Sequence, residues 1–277
     1  MIVRVPASSA NLGPGFDALG MALSLHADVA VIDGDDLPEA GHIVEPTHPA
    51  AVAFARAGGE GRLWVRSPIP SGRGLGFSGA VRVGGIVAAH LQACDDDVER
   101  VWAHRPAILS LAAELEGHAD NVAASLYGGV IATSGQRVVS VPLRLDPAVV
   151  VWIPTFTTST DQSRTALAGS IPFGDAVFNI GRTALLVAAL ASGDTDALRD
   201  ATQDRLHQPL RFGNAEPSRA ACEAALDAGA WCAWLSGSGP TVAAMCAVDD
   251  ADALVAQMPE DGHCKVLRID HAGVTVE

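Results

Sequence analysis

The sequence predicts an α+β protein of two domains meeting near residue 150. Strand-length runs, such as Ile2 to Pro6, Arg62 to Arg66 and the VVVWIPT segment from Val149, alternate with longer stretches of helical periodicity. The pattern restarts at about Val149, after a full set of strands and helices has been completed. A chain of 277 residues, 49% of them hydrophobic, is long enough for one large or two modest cores.

In order along the chain, Ile2 to Pro6 alternates as a strand does, and PASSANLGPGFDALG is a turn-rich loop. Met21 to Ile32 reads as one strand or a pair, and RLWVR, Arg62 to Arg66, as a short strand leading to Pro68 and Pro70. The glycine-rich stretch PSGRGLGFSGA, Pro70 to Ala80, opens a helix over Ser78 to Ala93. On that helix Val83, Val87 and Leu91 share a face, and Gly84-Gly85 permits close approach of a neighbour. A second helix is expected from Pro106 to Glu116, and a short third after His118 to Asn121, with GGVIATS as a strand. The second half reads as the VVVWIPT strand, a polar stretch, helices over 175–192 and 194–206, and another over 217–228. WCAWLSGSG is a strand and turn, and a closing helix and strand follow Asp249.

A net charge of −14 argues against a nucleic-acid surface, which needs a basic face, so a small-molecule partner is expected. The five cysteines form no C-x-x-C pair, and their odd number fits neither a zinc knuckle nor a closed disulfide set, so a cytoplasmic location is expected. The opening MIVRVPASSANLG lacks an apolar signal core, and no run approaches a membrane span, so no membrane partner is expected.

The glycine loop admits three readings. With 28 Gly in the chain, a G-x-G-x-x-G pattern such as Gly74, Gly76 and Gly79 is expected by chance, roughly 0.3 times in a chain of this length and composition. A dinucleotide fingerprint would need a second strand before an acid about twenty residues on; one helix fills the interval before Asp95 to Asp97, and the aspartates end it. A phosphate cradle fits better, because the loop opens a helix whose first amides are unpaired and lie at the positive end of its dipole. There Ser78 can offer its hydroxyl to Mg²⁺, or simply cap the helix after a tight turn.

VPASSANLGPGFDALGMAL, PSGRGLGFSGA, LEGHADNVAASLYGG, DRLHQPLR and LSGSGPTVAAM occur in this order over nearly the whole chain. In order and spacing they resemble the homoserine kinases of the GHMP small-molecule kinase superfamily. The resemblance implies the two-domain GHMP kinase fold: a ribosomal S5 domain 2-like N-terminal domain that binds ATP, 1–149, and a ferredoxin-like C-terminal domain, 150–277. It implies ATP-dependent phosphorylation of the L-homoserine side-chain hydroxyl, a step of threonine biosynthesis. ATP would lie along Pro70, Gly72, Arg73, Gly74, Leu75, Gly76, Ser78 and Gly79. Mg²⁺ would be shared between Ser78 and one of Glu114 and Glu116, since residues two apart on a helix cannot both face one point; Glu116 is favoured as the acid directly before Gly117-His118, with Glu114 in reserve. Their alternative is an ordinary solvated helix end.

The resemblance assigns the amino-acid substrate to Asn11, Asp17, His118, Asn121, Arg164 and Arg211. Asp17 suits the ammonium, and either arginine can hold the carboxylate by a planar two-pronged bond. Asn11 and Asn121 could orient the hydroxyl, and His118 is either part of this group or a structural histidine. Ser78, Asp120 and Asn121 are the catalytic candidates: Asp120 matches the acid that other branches use as a base, which the homoserine branch can dispense with. LSGSGPTV, Leu235 to Val242, would support the loop from the second domain, although taken alone such a sequence is more commonly a plain strand-turn-helix junction. The resemblance also makes a homodimer possible.

Two features depart from the family pattern. GLGFSGA carries Phe77 where a small hydroxyl residue is usual and Gly79 where alanine is, and the chain is somewhat short. Both bear on the acceptor more than on the reaction. The rivals are a kinase for another hydroxylated acid, such as threonine or pantoate, and a GHMP-fold protein that binds a nucleotide or metabolite without transfer.

Overall fold

The computed structural model describes residues 1–32, 34, 40–135, 137–157, 167 and 169–277. Its first sheet grows from an antiparallel pair, β1 (Val3–Ala10) and β2 (Leu19–Ile32). The strand expected to stop at Pro6 runs on to Ala10, because the register shifts between Pro6 and Ala7, where a residue without an amide proton is tolerated. β2 is one strand of 14 residues, long enough to pair also with β4 (Arg62–Arg66) and β5 (Val130–Ser134). The short β3 (His42–Ile43) lies beside β4, and β6 (Arg137–Val141) beside β5.

On this sheet lies α2 (Phe77–Ala93), with α1 (Pro49–Arg56), α4 (Arg105–Glu116) and α5 (Asp120–Tyr127) against it. Val83, Val87 and Leu91 are all buried as their spacing requires. A Cβ on Gly84 would lie 2.6 Å from a Val29 methyl, and one on Gly85 2.2 Å from the Ala50 carbonyl, so this pair does admit β2 and α1 to close contact. The short α3 (Val98–Ala103) precedes α4.

The second sheet is antiparallel, in the order β10 (Gly262–Leu267), β7 (Ala148–Pro154), β9 (Val242–Cys246), β8 (Cys232–Leu235). Taken in chain order this is fourth, first, third, second, the ferredoxin-like arrangement expected. The unbroken apolar run of β7 has a physical reason: Val149, Val151 and Ile153 enter the main core, while Ala148, Val150 and Trp152 enter a second one. A strand buried on both faces cannot alternate with polar residues. Among the described residues the α-helices of this half are α6 (Phe173–Ser192), α7 (Leu198–Ala201), α8 (Gln208–Gly213), α9 (Glu216–Asp227) and α10 (Ala251–Val255). The closing β11 (Thr275–Val276) returns to pair with β1, so the first sheet draws on both ends of the chain.

Several elements differ from the reading of the sequence. α1, α3, β3, β6, α8, β9 and β11 were not foreseen, the turn after β8 leads into the strand β9 and not into a helix, and the helix expected over 194–206 is confined to Leu198–Ala201. There the Thr202 hydroxyl turns back onto the Leu198 carbonyl at 3.0 Å and the chain enters a turn capped by Asp204. The expectation that no run approaches a membrane span does not hold by length and composition: α6 has 20 residues and mean hydropathy 1.3. It carries Asp175 and Arg182, and Leu186, Ala189 and Leu190 pack into the main core. The five cysteines are unpaired, and burial pushes the Cys222 and Cys232 thiols up to about 12, which makes both inert.

Candidate active site

Three loops meet at the start of α2. The first is the glycine loop itself. Gly76 caps the helix with φ +68°, a conformation that costs glycine little, and among the described residues no side-chain cap bonds to the first amides. The capping role open to Ser78 is therefore not the one observed: Ser78 lies one residue inside the helix, and its hydroxyl meets Glu116 Oε2 at 2.9 Å. Uncapped amides, together with the dipole of a 17-residue helix, favour an anion here.

The second loop follows β1. Asn11, Leu12 and Asp17 all hold left-handed backbone, at φ +71°, +48° and +55°, a clustering of unfavourable conformations found where function demands a shape. Asn11 Oδ1 accepts from the Asp17 amide at 3.1 Å, and its Nδ2 donates to the Gly237 carbonyl at 3.0 Å. The third loop, between β8 and β9, joins the other two. Ser236 Oγ donates to the Gly74 carbonyl at 2.6 Å and lies 2.8 Å from Ser9 Oγ, and the Gly237 amide donates to Ala10 O at 3.1 Å.

Arg211, on α8, reaches the same place and donates to the Gly237 carbonyl at 3.0 Å, so Asn11 and Arg211 converge on one oxygen. Its guanidinium lies 5.3 Å from the Phe16 ring centroid. On the other flank, Ser8 Oγ donates to Asn121 Oδ1 at 2.9 Å. A cavity of about 90 Å³ opens at the glycine loop, lined by Pro70, Gly72, Gly74, Gly76 and Ser78 on one side and by Glu116, His118 and Asn121 on the other; Gly237 also lines it, whereas Asn11, Asp17 and Arg211 do not and reach it only through the Gly237 loop.

Most of the residues singled out from the sequence are thus brought together, in differing ways. Leu75 is fully buried and offers only its backbone, whose carbonyl accepts from the Ser8 amide at 3.2 Å. Arg73 lines the cavity, but its guanidinium ties down the carbonyls of Pro154 and Thr155 at the end of β7. Gly79 lies within the first turn of α2 against Val122. Asp120 is buried and does not line the cavity; its Oδ1 accepts from the Asn121 amide and lies 2.8 Å from His118 Nδ1. Glu116 and Glu114 separate as helix geometry requires, Glu114 pairing with Arg56 at 2.7 Å on the exposed side. Arg164 lies outside the described residues. Phe77 both lines the cavity and packs, with its ring edge-to-face against His48 at 5.9 Å.

The Ser78 hydroxyl and the Glu116 carboxylate are hard oxygen donors 2.9 Å apart beside the anion-binding helix end, a set that fits Mg²⁺. The Arg82 guanidinium bonds to both of these oxygens. Sequence reasoning missed Arg82, although a lone charge one turn after Ser78, in a helix otherwise apolar, was a readable signal. It also missed Ser8, Ser9, Asp204 and His207; the last two sit with Arg211 in DRLHQPLR, the stretch from which the sequence reading took only the arginine.

Two family descriptions match the chain: GHMP kinases N terminal domain over residues 42–129 and GHMP kinases C terminal over 186–264. With the glycine loop at an uncapped helix start, they define the class as a GHMP kinase. The homoserine kinase of Gloeobacter violaceus is 39% identical over 275 residues, covering 92% of this chain and 90% of that one. That of Moorella thermoacetica is 40% identical over 265 residues, covering 88% and 87%. The crystal structure of homoserine kinase from Cytophaga hutchinsonii superposes with a TM-score of 0.84 at 27% identity, over 100% of this chain and 97% of that one. Methanococcus jannaschii mevalonate kinase, at 15% identity and a TM-score of 0.71, over 97% and 98%, shares the fold. The chain belongs to the homoserine kinase family.

Proposed function

We propose that this protein transfers the γ-phosphoryl group of ATP to the side-chain hydroxyl of L-homoserine, giving O-phospho-L-homoserine. The observation that carries the reading is the meeting at Gly237: the loop that holds Gly74 also holds Asn11 and Arg211, so a phosphate cradle and an amino-acid grip share one wall. Phosphoryl transfer asks for alignment and charge neutralisation more than for covalent chemistry.

In this reading the amides at the start of α2 and of the Pro70 to Gly76 loop bind the phosphates. Ser78 and Glu116 would hold Mg²⁺, which when bound neutralises charge on the phosphate oxygens. Asp17 takes the ammonium and Arg211, with Arg164, the carboxylate. Asn121, on the cavity wall, orients the hydroxyl, and Asp120 sets the position of His118 and of the first turn of α5. Residues 1–149 carry the nucleotide side and 150–277 supply Arg211 and the Gly237 loop.

A coupled ADP-release assay over L-homoserine, L-threonine, pantoate and no acceptor tests this. Turnover is expected with L-homoserine at least tenfold above the others. A clear preference for another alcohol would end the assignment, and ADP release with no acceptor preference at all would end the kinase reading of the second site.

A further inference from the structure

We infer that Arg82 is a built-in competitor for the divalent-cation position, holding Ser78 and Glu116 together in the metal-free protein and lowering their affinity for a metal until it is displaced. The inference rests on the reading of Ser78 and Glu116 as the metal pair.

Arg82 follows Ser78 by four residues, so the two side chains lie on one face of α2. One nitrogen of the guanidinium, Nη1, bonds to both Ser78 Oγ and Glu116 Oε2, the two oxygens that themselves stand 2.9 Å apart. The charges are largely out of water: the Glu116 side chain is 12% exposed and that of Arg82 21%. A carboxylate so placed needs a cation, since leaving it buried and unpaired is costly. Arg82 supplies one from within the chain.

A metal ion using the same oxygens cannot bind while Nη1 occupies them, because two cations would share one carboxylate oxygen at contact distance. The pairing is also incomplete on the arginine side. Among the described residues Arg82 Nε is buried without a hydrogen-bond partner, and the guanidinium meets Glu116 through Nη1 alone and not as a two-pronged fork. Such a contact keeps Glu116 aimed at Ser78 yet can be exchanged for a stronger cation.

The test is Mn²⁺ binding, followed by electron paramagnetic resonance and by calorimetry, on the full chain with and without ADP. Arg82→Met and Arg82→Gln are both expected to bind Mn²⁺ about tenfold or more tightly than the wild type, since a like charge at contact distance has been removed. Affinities within twofold of the wild type in both variants would overturn the inference. Adding Glu116→Gln to Arg82→Met is expected to abolish the gain. If Glu116→Gln weakens Mn²⁺ binding while the Arg82 changes do nothing, the metal pair stands and only the competitor role fails. If Glu116→Gln leaves Mn²⁺ binding unchanged in either background, the metal pair itself is wrong and the inference falls with it. Should neither Arg82 variant fold, a wild-type structure with Mn²⁺ and ADP decides: Arg82 displaced from Glu116 supports the inference, and Arg82 still bonded to Glu116 beside the metal overturns it.

Discussion

Arg211 Nη1 donates to His207 Nδ1 at 3.1 Å, while His207 Nε2 lies 2.8 Å from the Gly13 carbonyl. Since Nδ1 accepts, the ring proton sits on Nε2 and donates to Gly13, and the imidazole is neutral. Burial, aided by the Arg211 charge, holds the His207 pKa below its ordinary 6.5, although Asp204 pulls the other way. The folded protein then binds fewer protons than the unfolded one, so the stability is whole above pH 6.5 and is lost as the pH falls toward the lowered value. The expected outcome is a decline in urea-unfolding free energy below that pH that is smaller in His207→Asn. It is not abolished, because burial lowers His48 and His90 too. Equal slopes in the two proteins would show that His207 does not titrate in this way.

Arg211 is 6% exposed and bonded to His207 and Gly237, which fixes the plane it presents to the loop of Asn11 and Asp17. Arg211→Lys, which cannot reproduce a planar two-pronged contact, is expected to raise the homoserine KM by about 10²-fold, the value of a lost charged hydrogen-bond pair. The KM for ATP should change by less than about twofold. Loss of ATP affinity instead would move Arg211 to the nucleotide.

A general base contributes about 10² to 10⁴ in rate. Asp120 is turned onto His118 and the Asn121 amide and away from the cavity wall, so Asp120→Asn is expected to lower kcat by less than about 10²-fold. Asn121→Ala should lower it more. A drop of about 10³-fold in Asp120→Asn, with loss of the acid limb of the pH-rate profile, would make Asp120 the base after all.

Gly74 holds φ +76°, and a Cβ there would lie 2.2 Å from the carbonyl of Ser236, the residue whose hydroxyl ties the two loops together at the Gly74 carbonyl. A Cβ on Gly117, at φ +84°, would meet nothing within 4 Å among the described residues. Gly74→Ala is therefore expected to destabilise by several kcal/mol, an order of magnitude typical of a clash with fixed backbone. Gly117→Ala should cost only about 1 kcal/mol of left-handed strain. Thermal unfolding of the two variants checks the contrast, and similar shifts would mean that the loops are not locked together.

Elements that bury a continuous surface were readable. α2 and β7 carry their burial in their own residue order, one as a repeat of apolar positions and the other as an unbroken run. What escaped notice was short or marked only by caps: α1 begins with Pro49 behind His48, whose ring accepts from the Ala50 amide, a signal carried by single residues. The site divides in the same way. The glycine loop, Asn11 and Asp17 lie in stretches whose composition announces a turn. Ser8 and Asp204 announce nothing, and even Arg82, legible as a lone charge on an apolar helix, gains its role only from what the fold sets against it.

By itself, then, the sequence determined the alternation of helix and strand, the restart near Val149, and the family through five ordered motifs, since these depend on residue order alone. Tertiary structure decided that the Glu116 carboxylate stands 2.9 Å from the Ser78 hydroxyl with Arg82 against both, that Ser78 does not cap its helix, and that Asn11 and Arg211, 200 positions apart, share the Gly237 carbonyl. Those outcomes depend on distances between segments remote along the chain, which are set by the packing of α2, α4 and the second sheet and have no trace in local residue order.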